Sequence, residues 1–287
     1  MTQEPPAVDR TAIAAARDAF FARIGARPLI MGILNVTPDS FSDGGLFVTP
    51  AAALAQARRL VAEGADIIDV GAESTRPGHT PVSPEEEWAR LAPLLATLVQ
   101  EAGAPVSIDT YKAGTARRAT EAGVCVINDI WGLQRDPEMA AVVADAGAGV
   151  VVMHNRETTE PDIDIVDDML RFFERSLDIA RRADVPERYV ALDPGVGFGK
   201  SRQQNYDALR AIPRLCALGF PVLVGVSRKS IFRDLPDGRV EGRLTGTLAA
   251  NLLAAADGAQ IFRVHDVAEH RAAFTVFATL RGDRMEA

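Results

Sequence analysis

The feature that most constrains this chain is the alternation of short apolar segments with Ala-rich stretches of helical character. The segment Leu29–Leu34, for example, is apolar throughout, as in a strand that is buried on both faces of a parallel sheet. Eight such strands are predicted: Leu29–Leu34, Ile67–Val70, Val106–Ile108, Val124–Ile127, Val150–Met153, Val190–Leu192, Val222–Val226 and Ile261–Val264. Strands that alternate with helices predict a parallel sheet.

Helices are predicted between these strands and after the last one. They are Ala51–Glu63, Pro84–Glu101, Ala113–Ala122, Glu138–Ala146, Ile165–Ala183, Gln203–Leu218, Gly242–Ala256 and Val267–Leu280. Several end at a glycine just before the next strand, which is a common stop signal: Gly64, Gly123, Gly147, Gly219 and Gly258. Eight strand–helix units in about 250 residues favour a single (β/α)8 TIM barrel over an open doubly wound sheet.

The chain is expected to have two parts of unequal size. Residues 1–24 are predicted to form a tail and an extra helix, from Asp9 to about Ile24, that closes one end of the fold. Residues 25–287 are the predicted barrel domain, because no linker or shift in composition divides them.

The composition points to a cytoplasmic protein whose partners are small molecules. The formal net charge of −8 argues against nucleic acid or an anionic membrane as the main partner. The N-terminal residues MTQEPPAVDR lack the basic and apolar parts of a signal peptide, and no stretch is long and apolar enough to span a membrane. Cys125 and Cys216 are expected to be buried free thiols in a reducing compartment.

Polar residues follow every predicted strand at its C-terminal end, which is where α/β barrels build their active sites. They are Asn35, Glu73, Ser74, Thr75, Arg76, Asp109, Asn128, Asp129, His154, Asp193, Ser227, Arg228, Lys229, Ser230, Arg263, His265 and Asp266. Chance would scatter polar residues over both ends of the strands. The asymmetry therefore predicts a polar pocket and an enzyme.

Three of these residues form a group of hydrogen-bond acceptors. Asp109, Asn128 and Asp193 end short apolar strands, so their side chains are expected to point into the mouth of the barrel. Two carboxylates and an amide suit a ring that carries several N–H donors. Helix capping is the alternative role for Asp or Asn after a strand.

A second group is cationic and comprises Arg76, Lys229, Arg263 and His265. Cations beside amide and hydroxyl donors predict a phosphate or diphosphate site. Simple surface charge is the alternative for any one of them. It is weakest for Arg263, which lies between Phe262 and Val264 in an apolar run.

Three known motifs are approached but not matched. The sequence PGVGFGKS at Pro194–Ser201 resembles a P-loop, but Pro194 occupies the position of the first glycine. Its glycines also do not give the dinucleotide-binding pattern. The sequence GVSRK at Gly225–Lys229 lacks the last glycine of a nucleophile elbow. ATPase, dehydrogenase and serine hydrolase activities are therefore excluded.

Two predicted loops, Thr37–Gly45 and Ser74–Pro81, are long for connections between a strand and a helix. Both contain Pro, Gly and charged residues. Loops of this type often close over a substrate and exclude water. Ordinary surface variation is the alternative.

Seven motifs together resemble those of the dihydropteroate synthase family. In chain order they are ILNVTPDSFSDGG, DIIDVGAESTRPG, VSIDTYK, INDIWG, LDPGVGFGK, GVSRKSI and RVHDV, from about Leu29 to Val267. The resemblance implies a (β/α)8 barrel that joins 6-hydroxymethyl-7,8-dihydropterin diphosphate to 4-aminobenzoate. The products would be 7,8-dihydropteroate and pyrophosphate, in folate biosynthesis. An SN1-like path is expected, because the dihydropterin ring can delocalise the cation left by the departing diphosphate.

The resemblance also implies roles for individual residues. The pterin would be held by Asp109, Asn128, Asp193 and Lys229, and the diphosphate by Asn35, Arg76, Arg263 and His265. The 4-aminobenzoate pocket would comprise Thr75, Pro77, Phe41 and Ser230. Catalysis would depend on Asp109, Asp193, Lys229 and Asp43, with Mg²⁺ as cofactor and Asn35 as its ligand. A homodimer is implied as well.

Two other interpretations of the same sequence remain open. A methyltetrahydrofolate–corrinoid methyltransferase domain shares the pterin-binding barrel, but would have no use for Thr37–Gly45. A non-catalytic pterin-binding paralogue would be expected to lose diphosphate or loop residues, yet none is missing here. The segment after the fifth strand, MHNRETTEPD, departs from the family pattern, and no contacts are assigned to it.

Overall fold

Eight parallel strands form the barrel in the computed structural model, which describes residues 10–37, 49–73, 81–234 and 241–282. The strands are β1 (Leu29–Asn35), β2 (Ile67–Gly71), β3 (Val106–Asp109), β4 (Val126–Asp129), β5 (Gly149–Met153), β6 (Val190–Asp193), β7 (Leu223–Val224) and β8 (Ile261–Val264). Their hydrogen-bonded order is β6-β5-β4-β3-β2-β1-β8-β7. A bridge between Leu192 and Val222 joins the two edges of this sheet. The predicted (β/α)8 barrel is confirmed.

Helices surround the strands and largely match the predicted ones. They are α1 (Arg10–Phe21), α2 (Pro50–Ala62), α3 (Pro84–Leu91), α4 (Leu95–Glu101), α5 (Ala113–Glu121), α6 (Met139–Ala146), α7 (Ile165–Arg182), α8 (Arg202–Arg210), α9 (Ile212–Cys216), α10 (Leu244–Ala256) and α11 (Val267–Arg281), with short 3-10 helices at Glu187–Tyr189, Ser230–Phe232 and Glu241–Arg243. The helices predicted at 84–101 and 203–218 are each broken in two. Pro93 lies in the first break and Pro213 in the first turn of α9, because proline cannot continue a helix.

Two strands differ from their predicted bounds by more than one residue at an end, whereas the others match or differ by one residue. Strand β4 begins at Val126 rather than Val124, because the N–H of Val124 still bonds the carbonyl of Ala119 at the end of α5. The polar residues 128–129 therefore belong to β4 instead of following it. Strand β7 ends before Val226, where the chain already turns.

Side chains of the strands alternate between the barrel interior and the layer of helices. The lower half of the interior is apolar and comprises Leu29, Met31, Ile67, Val126, Val151, Ala191, Leu223 and Ile261. Helix α1 adds Ile13, Phe20 and Phe21 to the same cluster. This helix therefore covers the N-terminal end of the barrel and leaves the C-terminal end as its mouth.

The outward-facing strand residues pack against the helices in a second apolar cluster, which includes Ile30, Ile68 and Ile127.

Both cysteines are free thiols. Cys125 is buried as predicted, whereas Cys216 is only partly buried. Among the described residues, no helix is long and apolar enough to cross a membrane.

Candidate active site

The upper half of the barrel interior is polar. At the mouth it contains four of the predicted site residues, Asp109, Asn128, Asp193 and Arg263. Strand alternation places them there: Asn128 follows the interior residue Val126 by two positions, and Arg263 follows Ile261 in the same way. Asp109 and Asn128 are register partners on β3 and β4.

Arg263 joins this polar layer into one ion network. Its Nε lies 2.6 Å from Oδ2 of Asp69, and its Nη2 lies 2.6 Å from Oδ2 of Asp109. Burial opposes the charge of Arg263, but these two carboxylates outweigh it and raise its pKa above the ordinary value. The acceptor group and the cationic group, which the sequence suggests as separate, are therefore in direct contact.

Asp69 is a site residue that the sequence analysis missed. It is fully buried on β2, where Oδ2 also accepts a hydrogen bond from Nδ2 of Asn128 at 3.2 Å and Oδ1 accepts one from the Ser107 hydroxyl. Asp69 could have been found in the same way as Arg263, because both are charged residues inside an apolar strand. Asp69 lies below the mouth and supports the groups that line it.

At the mouth, two buried acceptors have no hydrogen-bond donor within the part of the chain that the structure describes. They are Oδ1 of Asp109 and Oδ1 of Asn128, in residues that are 7% and 3% exposed. Because Nδ2 of Asn128 donates to a carboxylate, which can only accept, the amide oxygen must be the atom without a donor. A buried acceptor without a donor costs about 1–3 kcal/mol, so both oxygens are suited to N–H groups of a ligand.

Asp193 lies on the opposite side of the mouth and is 5% exposed. Its Oδ1 accepts the N–H of Gly195 at 2.7 Å. Its Oδ2 lies beside β7, where a Cβ on Gly225 would be 3.6 Å from this oxygen and 3.9 Å from Cβ of Arg263. A side chain at Gly225 would therefore occupy the space between these two residues.

Lys229 extends from the turn after β7 toward the same side. Its Nζ donates a hydrogen bond to the carbonyl of Val196 and lies 4.5 Å from the ring centroid of Phe198. Both contacts come from the turn at residues 194–199, which follows β6. That turn therefore supports the lysine as well as Asp193.

Lys200 holds this turn together and was not identified from the sequence. Its buried Nζ donates to the carbonyls of Gly195 at 2.8 Å, Phe198 at 3.2 Å and His154 at 3.3 Å. The packing is tight, because a Cβ on Gly195 would lie 1.8 Å from the carbonyl oxygen of His154. The ammonium group of Lys200 and the glycine at position 195 therefore both stabilise the conformation of this turn.

Several of these groups can change their protonation near neutral pH. Burial, reinforced by the charge of Asp69, outweighs the effect of Arg263 and raises the pKa of Asp109 to about 7. Burial also raises the pKa of Asp193, and it lowers the pKa of Lys229 to about 8 and that of Lys200 to about 7. Strongly perturbed groups in one concave site are typical of an active site.

Three of the residues predicted for the diphosphate, Asn35, Arg263 and His265, lie on the β8–β1 side of the mouth. Asn35 ends β1. A Cβ added to Gly71 would lie 3.6 Å from Oδ1 of Asn35 and 3.6 Å from Cβ of Asp109. His265 follows β8, and its Nδ1 lies 2.9 Å from the hydroxyl of Ser227. The structure thus brings Asn35 close to Asp109.

The other predicted site residues are either exposed or outside the described ranges. Ser230 is exposed at the start of a 3-10 helix after β7. Five predicted residues lie outside the described residues: Phe41, Asp43, Thr75, Arg76 and Pro77.

Comparison with known proteins gives one consistent family. The sequence profile described as "Pterin binding enzyme" matches residues 31–265. A dihydropteroate synthase of Clostridium beijerinckii is 45% identical over 248 residues, which cover 86% of this chain and 92% of that protein.

Two solved structures resemble the whole barrel. The dihydropteroate synthase of Clostridium difficile, crystallised in the presence of pteroic acid, has a TM-score of 0.86 and 46% identity, covering 90% of this chain and 98% of that one. The Xanthomonas albilineans enzyme in complex with 7,8-dihydropteroate has a TM-score of 0.81 and 44% identity, covering 89% and 94%.

Proposed function

The chain belongs to the pterin binding enzyme family and, within it, to the dihydropteroate synthases, and we propose that it carries out their reaction at the mouth of its barrel. The reaction joins 6-hydroxymethyl-7,8-dihydropterin diphosphate to 4-aminobenzoate and releases pyrophosphate. The observation that carries this assignment to specific residues is the pair of buried oxygens on Asp109 and Asn128 that lack a donor among the described residues.

Those oxygens are matched to the donor edge of a pterin. The ring system presents several N–H groups in one plane, and Asp109 and Asn128 are register partners on neighbouring strands. Asp193 supplies a further carboxylate from the opposite side, and Lys229 supplies a donor for ring acceptors. We assign these four residues to the pterin.

Charge stabilisation is the main catalytic task in this proposal. The bond between the methylene carbon and the diphosphate oxygen breaks, and its electron pair leaves with the diphosphate. Arg263 and His265 stabilise the leaving group, while Asp109 and Asp193 stabilise the pterin cation that remains. The amine of 4-aminobenzoate then forms the new C–N bond and loses a proton. The amine is neutral at pH 7, so this SN1-like path needs no strong base.

Arg263 also connects the two ends of the substrate. Two of its nitrogens bond Asp69 and Asp109, whereas Nη1 makes no hydrogen bond among the described residues. Nη1 can therefore contact an anionic leaving group while the same guanidinium remains fixed by its carboxylates. Arg76 is assigned to the diphosphate as well.

The residues present fit a Mg²⁺ ion as the cofactor. Mg²⁺ takes oxygen ligands and often uses one or two protein groups together with substrate phosphates. The amide oxygen of Asn35 lies at the mouth near Asp109. Within the described ranges, no cluster of three or more His, Cys, Asp or Glu is suited to a metal. When bound, Mg²⁺ would neutralise charge on the diphosphate. Asn35 would be its protein ligand and would also orient the diphosphate.

The 4-aminobenzoate side is assigned to Thr75, Pro77, Phe41 and Ser230, and Asp43 is assigned to the closed first loop. Of these residues, the exposed Ser230 lies next to Lys229 in sequence, so its side of the mouth is continuous with the pterin side. Both long loops would exclude water, which competes with the amine for the cation.

A homodimer through α10 and α11 completes the proposal. These helices pack against each other and expose Leu253 (69%), Val276 (59%) and Leu280 (82%). Large apolar side chains grouped on neighbouring helices are typical of an interface. Light scattering should give twice the chain mass, and a Leu253→Glu, Leu280→Glu double variant should be monomeric.

We place the enzyme in the cytoplasm, where both free thiols remain reduced.

The decisive experiment measures pyrophosphate release from the dihydropterin diphosphate with Mg²⁺, with and without 4-aminobenzoate. Release that depends on 4-aminobenzoate, with an equal amount of dihydropteroate, is the expected result. Binding of the pterin without turnover would favour a non-catalytic paralogue, and methyl transfer from methyltetrahydrofolate would favour the corrinoid methyltransferase. The comparisons favour neither alternative.

A further inference from the structure

His265 and Ser227 form a contact between the turns that follow β8 and β7. Two hydrogen bonds join them: the backbone N–H of His265 donates to Oγ of Ser227 at 3.1 Å, and Oγ lies 2.9 Å from Nδ1 of the His265 ring. Ser227 is 6% exposed. The hydroxyl is therefore enclosed and cannot freely exchange this contact for water.

The hydroxyl has one hydrogen to donate, and its direction decides the tautomer of the ring. Among the described residues, Nδ1 of His265 is the acceptor within reach of that hydrogen. If Nδ1 carried a proton instead, Oγ would accept twice and its own buried hydrogen would lack a partner. A buried donor without an acceptor costs about 1–3 kcal/mol. The hydroxyl therefore donates to Nδ1, and the imidazole proton is on Nε2.

A second contact fixes the two turns in register. The Arg228 guanidinium pairs with Asp266, with Nε 3.0 Å from Oδ2. Burial opposes the charge of Asp266, but Arg228 holds the pKa of this carboxyl below its usual range, so the pair remains ionised at neutral pH. Each member is the chain neighbour of a member of the Ser227–His265 pair. The two turns are thereby held at a fixed separation.

We infer that Ser227 is a positioning residue that holds His265 as the neutral Nε2–H tautomer, so that the ring serves as a hydrogen-bond donor to the diphosphate. This inference rests on the proposed role of His265. It gives the histidine one function and excludes another: Nε2 donates to the leaving group and cannot take the proton of the attacking amine. The positive charge at the diphosphate comes from arginine and not from this ring.

Nitrogen NMR of the imidazoles tests the tautomer directly. The chain has four histidines, so ¹⁵N–¹H correlations at pH 8 are few, and a His265→Gln variant assigns the signal of interest. We expect protonated Nε2 and unprotonated Nδ1 in the wild type. An Nδ1–H signal would overturn the inference, and this outcome does not depend on any Ser227 variant being folded.

His270 is an internal control with the opposite tautomer. Its Nδ1 lies 2.6 Å from the carbonyl oxygen of Asp266, which can only accept, and its Nε2 lies 3.0 Å from Nδ2 of Asn251. We therefore expect Nδ1–H for His270 in every variant. If the spectra showed the same tautomer for His265 and His270, the assignment of the NMR signals would have to be corrected before any conclusion on Ser227.

Variants of Ser227 test the consequence for binding. In Ser227→Ala, the His265 signals should become a mixture of tautomers, and pyrophosphate should bind about tenfold more weakly, while 6-hydroxymethylpterin binds as before. Ser227→Thr keeps the hydroxyl and should restore both properties. Unchanged tautomer signals and unchanged pyrophosphate binding in Ser227→Ala would leave Ser227 a structural contact only.

The two levels of the proposal fail differently. If His265→Gln binds pyrophosphate as well as the wild type, the diphosphate assignment of His265 is wrong whatever its tautomer. If His265→Gln weakens binding but the wild type shows Nδ1–H, the diphosphate assignment stands and the role of Ser227 is wrong.

Discussion

Asp69→Asn offers the sharpest test of the ion network below the mouth. The substitution removes one negative charge and nearly preserves shape. The amide oxygen can keep the bonds from Arg263 and Asn128, while the new NH₂ group faces the hydroxyl of Ser107. That hydroxyl can accept this bond and turn its hydrogen to the carbonyl of Ile68, which lies 3.4 Å away. The variant is therefore expected to fold.

The removed charge should lower the pKa of Asp109. Burial and the charge of Asp69 raise that pKa to about 7 in the wild type, and Arg263 opposes them. A like charge within about 4–6 Å raises a carboxyl pKa by roughly one unit or more, so its loss should bring Asp109 to about 6. Without Asp69, Arg263 also interacts with Asp109 alone, which acts in the same direction.

The expected readout is the acid limb of kcat/KM for the dihydropterin diphosphate. Asp109 accepts hydrogen bonds from the pterin as a carboxylate, so activity falls as the pH drops through its pKa. At pH 6 about a tenth of Asp109 is ionised at a pKa of about 7, and about half at a pKa of about 6. Relative to its own plateau, Asp69→Asn should therefore be about fivefold more active at pH 6 than the wild type.

Asp66→Asn is the matched control at the other end of the barrel. Asp66 is also a buried carboxylate, which accepts bonds from Arg27, from Arg271 and from the N–H of Ile30. Its substitution should lower the melting temperature without moving the acid limb. A limb that stays in place in Asp69→Asn, or moves to higher pH, would refute the coupling between Asp69 and Asp109.

Two further predictions concern the turn at 194–199. Lys200→Met removes three hydrogen bonds to backbone carbonyls, so the free energy of unfolding should fall by about 3 kcal/mol in urea titrations. KM for the pterin substrate should also rise. If neither value changed, the turn would keep its conformation without the ammonium group. Gly195→Ala should lose at least tenfold in kcat/KM, because the new Cβ would lie 1.8 Å from the carbonyl oxygen of His154. Gly219→Ala is its control, since φ is also positive there but no atom lies within 4 Å of the added Cβ. Equal losses in the two glycine variants would attribute the effect to φ alone.

The barrel was predictable because its signals are local. Each strand is a short apolar run, and the glycines that end the preceding helices reinforce the pattern. The errors are local as well: Pro93 and Pro213 break helices that the apolar pattern alone would continue. Strand β7 is short because the chain turns at Val226, which its composition does not reveal.

The site was predictable only as a set of residues and not as a network. Arg263 contacts Asp109 across 154 positions of sequence, a pairing that depends on closure of the barrel. Asp69 lies in the middle of its strand and not after it, so the rule that site residues follow the strands does not identify it. Lys200 follows glycines that resemble a phosphate-binding loop, and its actual partners are carbonyls of its own turn and of His154.

Because the seventh strand is short, the barrel is closed only weakly at one position, between β6 and β7. Between β6 and β7 the backbone is joined by little more than the bridge at Leu192 and Val222. Asp193 lies on one side of this position and Lys229 on the other, whereas Arg263 and Asp109 lie on the continuous arc from β8 through β1 and β2 to β3. A ligand bound by both Asp193 and Lys229 would connect the two sides of this weakly paired position. The bound substrate would therefore help to keep the barrel closed.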